Sequence, residues 1–199
     1  MAVSLTSSHA KISGMLRAKG VRIDRIAFYN EDAFRVVERH DPIFLQYYAA
    51  WVRSRPRDTA YEERVRKILP AVAEAVASEV ARDGKVGVCI DVSMMLLKML
   101  EAQDIWCYAA AGALTIASKL RIPIRFCKYD VRPTAGHYWI VAPPFEIVDI
   151  TLPYQLWHGA EREILPSLVL LETAKEVTVP SKGAVTVVTI FIDSRTATG

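Results

Sequence analysis

The sequence predicts an α+β fold, in which helices come first and a mostly antiparallel sheet follows. Apolar residues recur every three or four positions up to about residue 103, and short β-branched runs separated by turn residues follow. The chain has 199 residues, of which 52% are hydrophobic and 24% charged, so it can bury a core without disulfide bonds. We expect a mainly helical portion over residues 1–83 and a second portion over 84–199, which together form one compact domain.

Helices are expected in four segments before residue 104. They cover residues 31–40, 42–53, 60–82 and 89–103. Pro70 lies inside the third helix and predicts a kink or an interruption, while Gly84 suits the left-handed position that follows a helix end. The fourth helix has almost no polar face, so we expect it to lie at the centre of the domain.

Strands are expected in the second half of the chain. They cover residues 105–117, 122–128, 136–142, 145–150, 164–171 and 185–193. Side chains alternate between the two faces of a strand, so Trp139 and Val141 share one face with His137. We expect that face to pack against the fourth helix, whereas Tyr138 and Ile140 face away from it.

Charge and cysteine content limit the possible partners and compartments. A net charge of +3 is too small to predict a nucleic-acid partner, and the basic run between residues 53 and 67 is interpreted as a solvated helix face. The first twenty residues contain no apolar run as long as a signal peptide or a membrane span. Three cysteines without a CxxC pair predict neither a disulfide framework nor a cysteine zinc site. We therefore expect a cytoplasmic protein with no membrane partner, and its oligomeric state stays open.

Cys89 stands at the start of the fourth helix, two residues after Gly87. A thiol attacks only as the thiolate, which is stabilised by the positive end of a helix dipole and by a neighbouring imidazole. Without such neighbours Cys89 would be interpreted as a buried, unreactive cysteine. That is our interpretation of Cys107 and Cys127, which lie in apolar strand segments.

His137 is the best candidate for that imidazole, because it opens a predicted strand directly after a glycine. The other histidines have weaker contexts: His9, His40 and His158. If the following hairpin turns at Pro143, Asp149 lies directly opposite His137, with Cβ atoms roughly 4.5–5.5 Å apart. The carboxylate would then hold one ring nitrogen and leave the other for the thiol. A slip of one residue would move Asp149 to the other face of the sheet.

Three motifs carry a resemblance to a known group of enzymes. They are G-V-C-I-D at the head of an apolar helix, then G-H-Y-W-I-V and F-E-I-V-D-I-T in strands. The segment from about Gly84 to Pro153 resembles the transglutaminase-like branch of the papain-like cysteine enzymes. That branch includes microbial transglutaminase-like proteins, peptide:N-glycanases and arylamine N-acetyltransferases. The order Cys, His, Asp, the aromatic Trp139 soon after the histidine, and the V-D-x-T ending are similar, whereas the spacing of 12 residues from His137 to Asp149 is shorter than usual.

The resemblance implies a papain/transglutaminase-like core over residues 84–199, with a central helix packed on an antiparallel sheet. It implies that Cys89 is the nucleophile, His137 the base and Asp149 the orienting acid. The reaction would be thiol-dependent acyl transfer or hydrolysis on an amide, of protease, amidase or transglutaminase type, through a thioester and without a cofactor. A protein or peptide substrate is expected rather than a small molecule.

Further site residues follow less directly. Trp139, Tyr154 and Trp157 are candidates for the wall of a substrate cleft. The backbone N–H of Cys89 is an expected oxyanion donor, because amides at a helix start are unpaired. Gln103 stands at the far end of the same helix, so it is badly placed for that role.

Three other interpretations remain open at this stage. The fold could be a binding or scaffolding module in which the triad is idle. It could also be a toxin-like effector that modifies a protein target with the same triad. A zinc site formed by Cys89, His137 and Asp149 is disfavoured, because these residues lack the paired spacing typical of zinc ligands.

Overall fold

A computed structural model describes residues 9–41, 43–118, 121–126, 137–155, 165–172 and 193–195. Its elements confirm the α+β class. The five α-helices of this part are α1 (His9–Ala18), α2 (Asp32–His40), α3 (Phe44–Ser54), α4 (Thr59–Asp83) and α5 (Cys89–Glu101). Short 3₁₀ helices cover Phe28–Asn30 and Leu152–Tyr154. None of the described helices has both the length and the apolar character needed to cross a membrane.

Two features of the helices differ from the sequence prediction. Helix α1 lies in a segment for which no structure was predicted, and it forms because Ile12 and Leu16 are buried on one of its faces. Helix α4 is not interrupted at Pro70, because Leu69 and Ala73 on either side are both buried in the core. The ends of α4 follow the prediction. The carboxylate of Asp58 accepts the N–H of Tyr61 at 2.7 Å, and Gly84 closes the helix at φ +70°.

The described strands form one antiparallel sheet. They are β1 (Tyr108–Ser118), β2 (Arg121–Phe126), β3 (His137–Ala142), β4 (Phe145–Asp149), β5 (Val169–Leu171) and β6 (Asp193–Arg195). Their order is β2-β1-β3-β4-β5, and β6 also pairs with β1. Strands β1 to β4 follow the predicted positions, and β5 is shorter than predicted. Most of the predicted strand over 185–193 lies outside the described residues.

Helices cover both faces of the sheet. Helices α1, α2 and α3 pack in one core with Tyr108, Trp139, Val141 and Ile147, whereas α4 and α5 pack in a second core with Cys107, Ile140, Ala142 and Val148. The prediction that Trp139 and Val141 pack against the cysteine-bearing helix is therefore wrong. Helix α5 covers the opposite face, through Ile140, because the N-terminal helices occupy the face that Trp139 presents.

Helix α5 packs on the sheet as predicted, but it is not buried on all sides. Val92, Leu96 and Leu100 point into the core, while four large apolar residues stay partly exposed. These are Ile90, Met94, Met95 and Met99. The described structure therefore leaves one side of this apolar helix at the surface.

Candidate active site

Cys89 is the first residue of α5, and two contacts fix the chain around it. The N–H of Gly87 donates to the carbonyl of Tyr154 at 2.7 Å, which ties the segment before the helix to the segment after β4. Gly87 has φ +73°, a left-handed conformation that glycine adopts without strain. Its role is conformational, because a Cβ added there would meet no atom within 4 Å.

Ser93 sets the position of α5 against the sheet. Its hydroxyl donates to the carbonyl of Tyr138 at 3.2 Å. Residues four positions apart lie on the same side of a helix, so Cys89 is one turn before Ser93 on this side. Tyr138 directly follows His137, and this anchor therefore brings the start of α5 to the start of β3.

His137 and Asp149 form a buried hydrogen-bonded pair. The distance from Nε2 of His137 to Oδ2 of Asp149 is 2.6 Å, and the two residues are 1% and 5% exposed. An ionised carboxylate can only accept, so Nε2 carries the proton and donates it to this bond. The other ring nitrogen, Nδ1, is therefore the one available to the thiol.

The register of the β3–β4 hairpin differs from the predicted one. Ile140 pairs with Val148, and a β-bulge separates this pair from Ala142 and Phe145. Continued along the strands, this register places Trp139, rather than His137, opposite Asp149. The shift amounts to two residues, so His137 and Asp149 remain on one face as diagonal neighbours, which are still within reach of each other.

Thr151 completes the hydrogen bonds of the Asp149 carboxylate. Oδ1 accepts from the Thr151 N–H at 2.8 Å and from the Thr151 hydroxyl at 3.0 Å. The Thr151 carbonyl in turn accepts from Nε2 of Gln155 at 2.9 Å. Both carboxylate oxygens therefore have donors in a site without exposed surface, and the orientation of the carboxylate toward His137 is fixed.

The charges of the pair stabilise each other. Burial by itself lowers the pKa of His137, but the charge and hydrogen bond of Asp149, followed by the smaller contribution of Cys89, raise it to about 9. Burial opposes ionisation of Asp149, yet the imidazolium of His137 and the two donors of Thr151 hold the pKa of this carboxyl below its usual value. An imidazolium–carboxylate pair is therefore the favoured state near neutral pH.

Cys89 is the third residue near this pair. Nδ1 of His137 is buried without a formed hydrogen bond to any group in the described residues. Cys89 is near enough to this imidazole to be among the smaller causes of the raised pKa of His137. The structure joins His137 to Asp149 by a hydrogen bond and places Cys89 near the same imidazole.

The N-terminus of α5 adds positive polarity to the site. No side chain caps this helix, and its N-cap residue is Val88. The amides of the first turn therefore keep their polarity for an anion at the position of the Cys89 sulfur or next to it. Gln103 lies beyond the other end of the helix and is exposed, so it is remote from this point.

The predicted cleft residues have different surroundings. Trp139 is buried and stacks near His137, with ring centroids 6.2 Å apart and planes 27° apart. Tyr154 is buried in the core beside α5 and holds Gly87 through its carbonyl. Trp157 lies outside the described residues. In the described structure Trp139 and Tyr154 are both buried, so they do not form the wall of an open cleft.

The remaining cysteines and histidines do not join this group in the described part of the chain. Cys107 is fully buried, its thiol points to the carbonyl of Leu97 at 3.8 Å, and burial raises the pKa of that thiol well above its usual value. The ring of His9 lies tilted against Trp51, with centroids 4.9 Å apart, and His40 is exposed at the end of α2. Cys127 and His158 lie outside the described residues.

Sequence reasoning missed the roles of Ser93 and Gln155. Ser93 is a polar residue on the inward side of an apolar helix, one turn after Cys89, and this position was a usable signal. Thr151 was noticed only as part of a motif, although an Asp followed two residues later by Thr is typical of a side-chain-stabilised turn. No sequence signal identified Gln155.

A metal site is not formed by these residues. Among the described residues, no group of three or more His, Cys, Asp or Glu side chains is arranged to hold a metal ion. Comparison of the chain with models of protein families, with curated proteins and with solved structures gives no match.

Proposed function

We propose that this chain is a cysteine-dependent enzyme of the papain/transglutaminase-like type, which transfers or hydrolyses the acyl group of an amide. The observation that supports this most strongly is the buried 2.6 Å bond between the imidazole of His137 and the carboxylate of Asp149, with Cys89 near enough to contribute to the raised pKa of the same imidazole. The thiol also stands at the uncapped N-terminus of a helix. A reduced, cytoplasmic compartment suits this chemistry, because it keeps a reactive thiol from oxidation.

The first half of the reaction forms a thioester. In the reactive state the proton of the Cys89 thiol resides on Nδ1 of His137, which is then an imidazolium, and the thiolate attacks the amide carbonyl carbon to give a tetrahedral oxyanion. The amide at the start of α5 stabilises the oxyanion. The C–N bond then breaks as the imidazolium returns the proton to the leaving amine, and the acyl group stays on sulfur.

The second half restores the enzyme. Water or an acceptor amine gives a proton to Nδ1 and attacks the thioester carbonyl, and the C–S bond breaks to release the thiolate. A water acceptor yields a carboxylic acid, and an amine acceptor yields a new amide. Asp149 stays ionised throughout and stabilises the imidazolium in both halves, as orienting acids do in related triads.

A non-catalytic binding module is the second candidate function. The observation that favours it is the burial of the site, since Cys89 is only 8% exposed and His137 is 1% exposed. A substrate carbonyl needs access to the sulfur, so catalysis requires an opening at the start of α5. Without that opening, the pair of His137 and Asp149 contributes only to the stability of the fold.

A covalent adduct experiment separates these candidates. The protein is incubated with a panel of peptides and amines, and intact-mass and peptide spectra are recorded for wild type, Cys89→Ala and Asp149→Asn. An enzyme accumulates an acyl adduct on residue 89 and releases product, neither of which Cys89→Ala can do. Asp149→Asn keeps the thiol but loses the charge that stabilises the imidazolium, so adduct formation slows. Products at equal rates in wild type and Cys89→Ala would exclude the proposed mechanism.

A further inference from the structure

A cavity of about 270 Å³ lies beside α5, along the side that carries Ile90, Met94 and Leu97. It lies between α3, α5 and the start of β1. Its walls are Tyr29, Leu45, Tyr48, Ala49, Ile90, Met94, Leu97, Tyr108, Ala109 and Tyr138. Neither Cys89 nor His137 lines it, although Ile90 and Tyr138 directly follow them in the chain.

Three of the tyrosine hydroxyls in this wall are used by other parts of the protein. The hydroxyl of Tyr29 donates to Glu101 at 2.8 Å and accepts from Lys98. The Tyr48 hydroxyl donates to the carbonyl of Cys107 at 3.1 Å, and the Tyr108 hydroxyl accepts from Arg53. These tyrosines therefore line the cavity with ring carbon atoms, because their hydroxyl groups are hydrogen-bonded to groups elsewhere in the protein.

The cavity also stays uncharged over the physiological pH range. No Asp, Glu, Lys, Arg or His is among its lining residues. Burial raises the pKa of Tyr48 well above its usual value, and burial also raises the pKa of Tyr29 to about 12. A charged group inside this cavity would lose its hydration without gaining a partner, which is strongly unfavourable.

The opening of the cavity is apolar and adaptable. Ile90 and Met94 line it and are 51% and 38% exposed, so they form its boundary with solvent. Methionine has a flexible, polarisable side chain that adjusts to ligands of different shape. The size is sufficient for a small organic ligand, since an apolar cavity of about 150 Å³ already binds benzene.

We propose that this cavity is a binding site for the hydrocarbon part of an uncharged small molecule. The alkyl or aryl group enters between α3 and α5, and any polar group of the ligand stays at the opening beside Ile90 and Met94. The site does not depend on the reaction proposed for Cys89.

The test uses the uncharged dye N-phenyl-1-naphthylamine, whose fluorescence rises in apolar surroundings, and a series of straight-chain 1-alkanols that displace it. The proteins are wild type, Met94→Glu, Met95→Glu and Cys89→Ala. Met95 is the matched control, because it is a neighbouring methionine on α5 with 44% exposure and does not line the cavity. Far-UV circular dichroism establishes that each variant is folded.

We expect saturable binding of one dye per chain in wild type, Met95→Glu and Cys89→Ala. Met94→Glu should weaken binding by about tenfold or more, because a carboxylate then stands at the apolar opening. The alkanol concentration that displaces half of the dye should fall about fourfold for each added methylene, until the alkyl chain is longer than the cavity.

Either of two results would rule out the proposed binding site. One is the absence of saturable dye binding to wild type, and the other is an equal loss in the two glutamate variants. Retained binding in Cys89→Ala keeps this test separate from the proposed catalysis, which that substitution abolishes.

Discussion

At the scale of single residues, the carboxylate of Asp149 is the most constrained group of the site. It accepts one bond from His137 and two from Thr151, all within the buried interior. The sequence was sufficient to name Cys89, His137 and Asp149 as candidates, because each stands at the boundary of a strongly patterned element. It was not sufficient for the contribution of Thr151, because a hydroxyl beside a strand end has many other possible partners.

Replacing Thr151 by Val tests this constraint. The change keeps the shape and the backbone N–H but removes the hydroxyl donor to Oδ1 of Asp149. A hydrogen bond to a charged group contributes about 1.5–3 kcal/mol, so we expect a loss of that size in the free energy of unfolding measured in urea. Thr59→Val, at the exposed start of α4, is the control and should change stability by less than about 0.5 kcal/mol. Equal effects of the two substitutions would contradict the assigned role.

The protonation of His137 provides a second residue-scale prediction. Its pKa is raised to about 9 chiefly because the attraction of Asp149 outweighs the effect of burial. In Asp149→Asn that attraction is lost and burial dominates, so the pKa of His137 should fall below the usual 6.5. Cys89→Ala should lower it less, since the contribution of the thiol is smaller. NMR titration of labelled histidine measures all three values, and an unchanged pKa in Asp149→Asn would refute this explanation.

At the scale of elements, the start of α5 and the β3–β4 hairpin bring the site together. The helices and most strands could be predicted because their apolar residues repeat with a clear period. The hairpin register could not, because a β-bulge between Ile140 and Ala142 shifts it without leaving a periodic signal. His137 and Asp149 still share a face, because the shift is an even number of residues.

Two glycine substitutions with opposite expected effects on stability test the turn before α5. Gly87→Ala forces a side chain into the left-handed region at φ +73°, which should destabilise the fold by about 1–2 kcal/mol and slow any reaction of Cys89. Gly14→Ala is the matched control, because Gly14 is an exposed position within helix α1. Alanine there should stabilise the fold by about 0.5–1 kcal/mol. A stabilising effect of Gly87→Ala, read from thermal unfolding, would exclude the assigned conformation.

At the scale of the whole molecule, helices enclose the sheet on both faces. The sequence predicted helices followed by a sheet, yet it placed Trp139 and Val141 against the wrong helix. Periodicity identifies which residues are apolar, but it does not identify the element that covers them, because that depends on the path of the chain between elements. The N-terminal helices therefore had no predicted role, although they pack against the face that carries Trp139, Val141 and Ile147.

The buried pair makes the stability of the whole molecule depend on pH. Because the pKa of His137 is raised, its stabilising contribution is complete below pH 6.5 and is lost as the pH rises through about 9. Because the pKa of Asp149 is lowered, its contribution is present above pH 3.8 and is lost as the pH falls through its folded-state value. The pair should therefore stabilise the fold most between about pH 4 and pH 6.5.

Urea unfolding at pH 6 and pH 9.5 measures this effect. Between pH 6 and pH 9.5 the free energy of unfolding of wild type should fall by on the order of 3 kcal/mol more than that of Asp149→Asn, which lacks the charge pair. The exposed His40→Gln variant serves as the control and should follow wild type. Parallel pH profiles for wild type and Asp149→Asn would show that the pair does not contribute in this way.

The central claim is that His137 activates the Cys89 thiol, and alkylation by iodoacetamide at pH 6 tests it most directly. Peptide mass spectrometry follows residue 89 and the fully buried Cys107 in the same folded molecule, for wild type and His137→Gln. We predict that Cys89 reacts at least about tenfold faster than Cys107 in wild type, and that His137→Gln slows Cys89 by about tenfold or more while remaining folded. A Cys89 that stays unmodified in folded wild type, or that reacts equally fast in His137→Gln, would contradict the account.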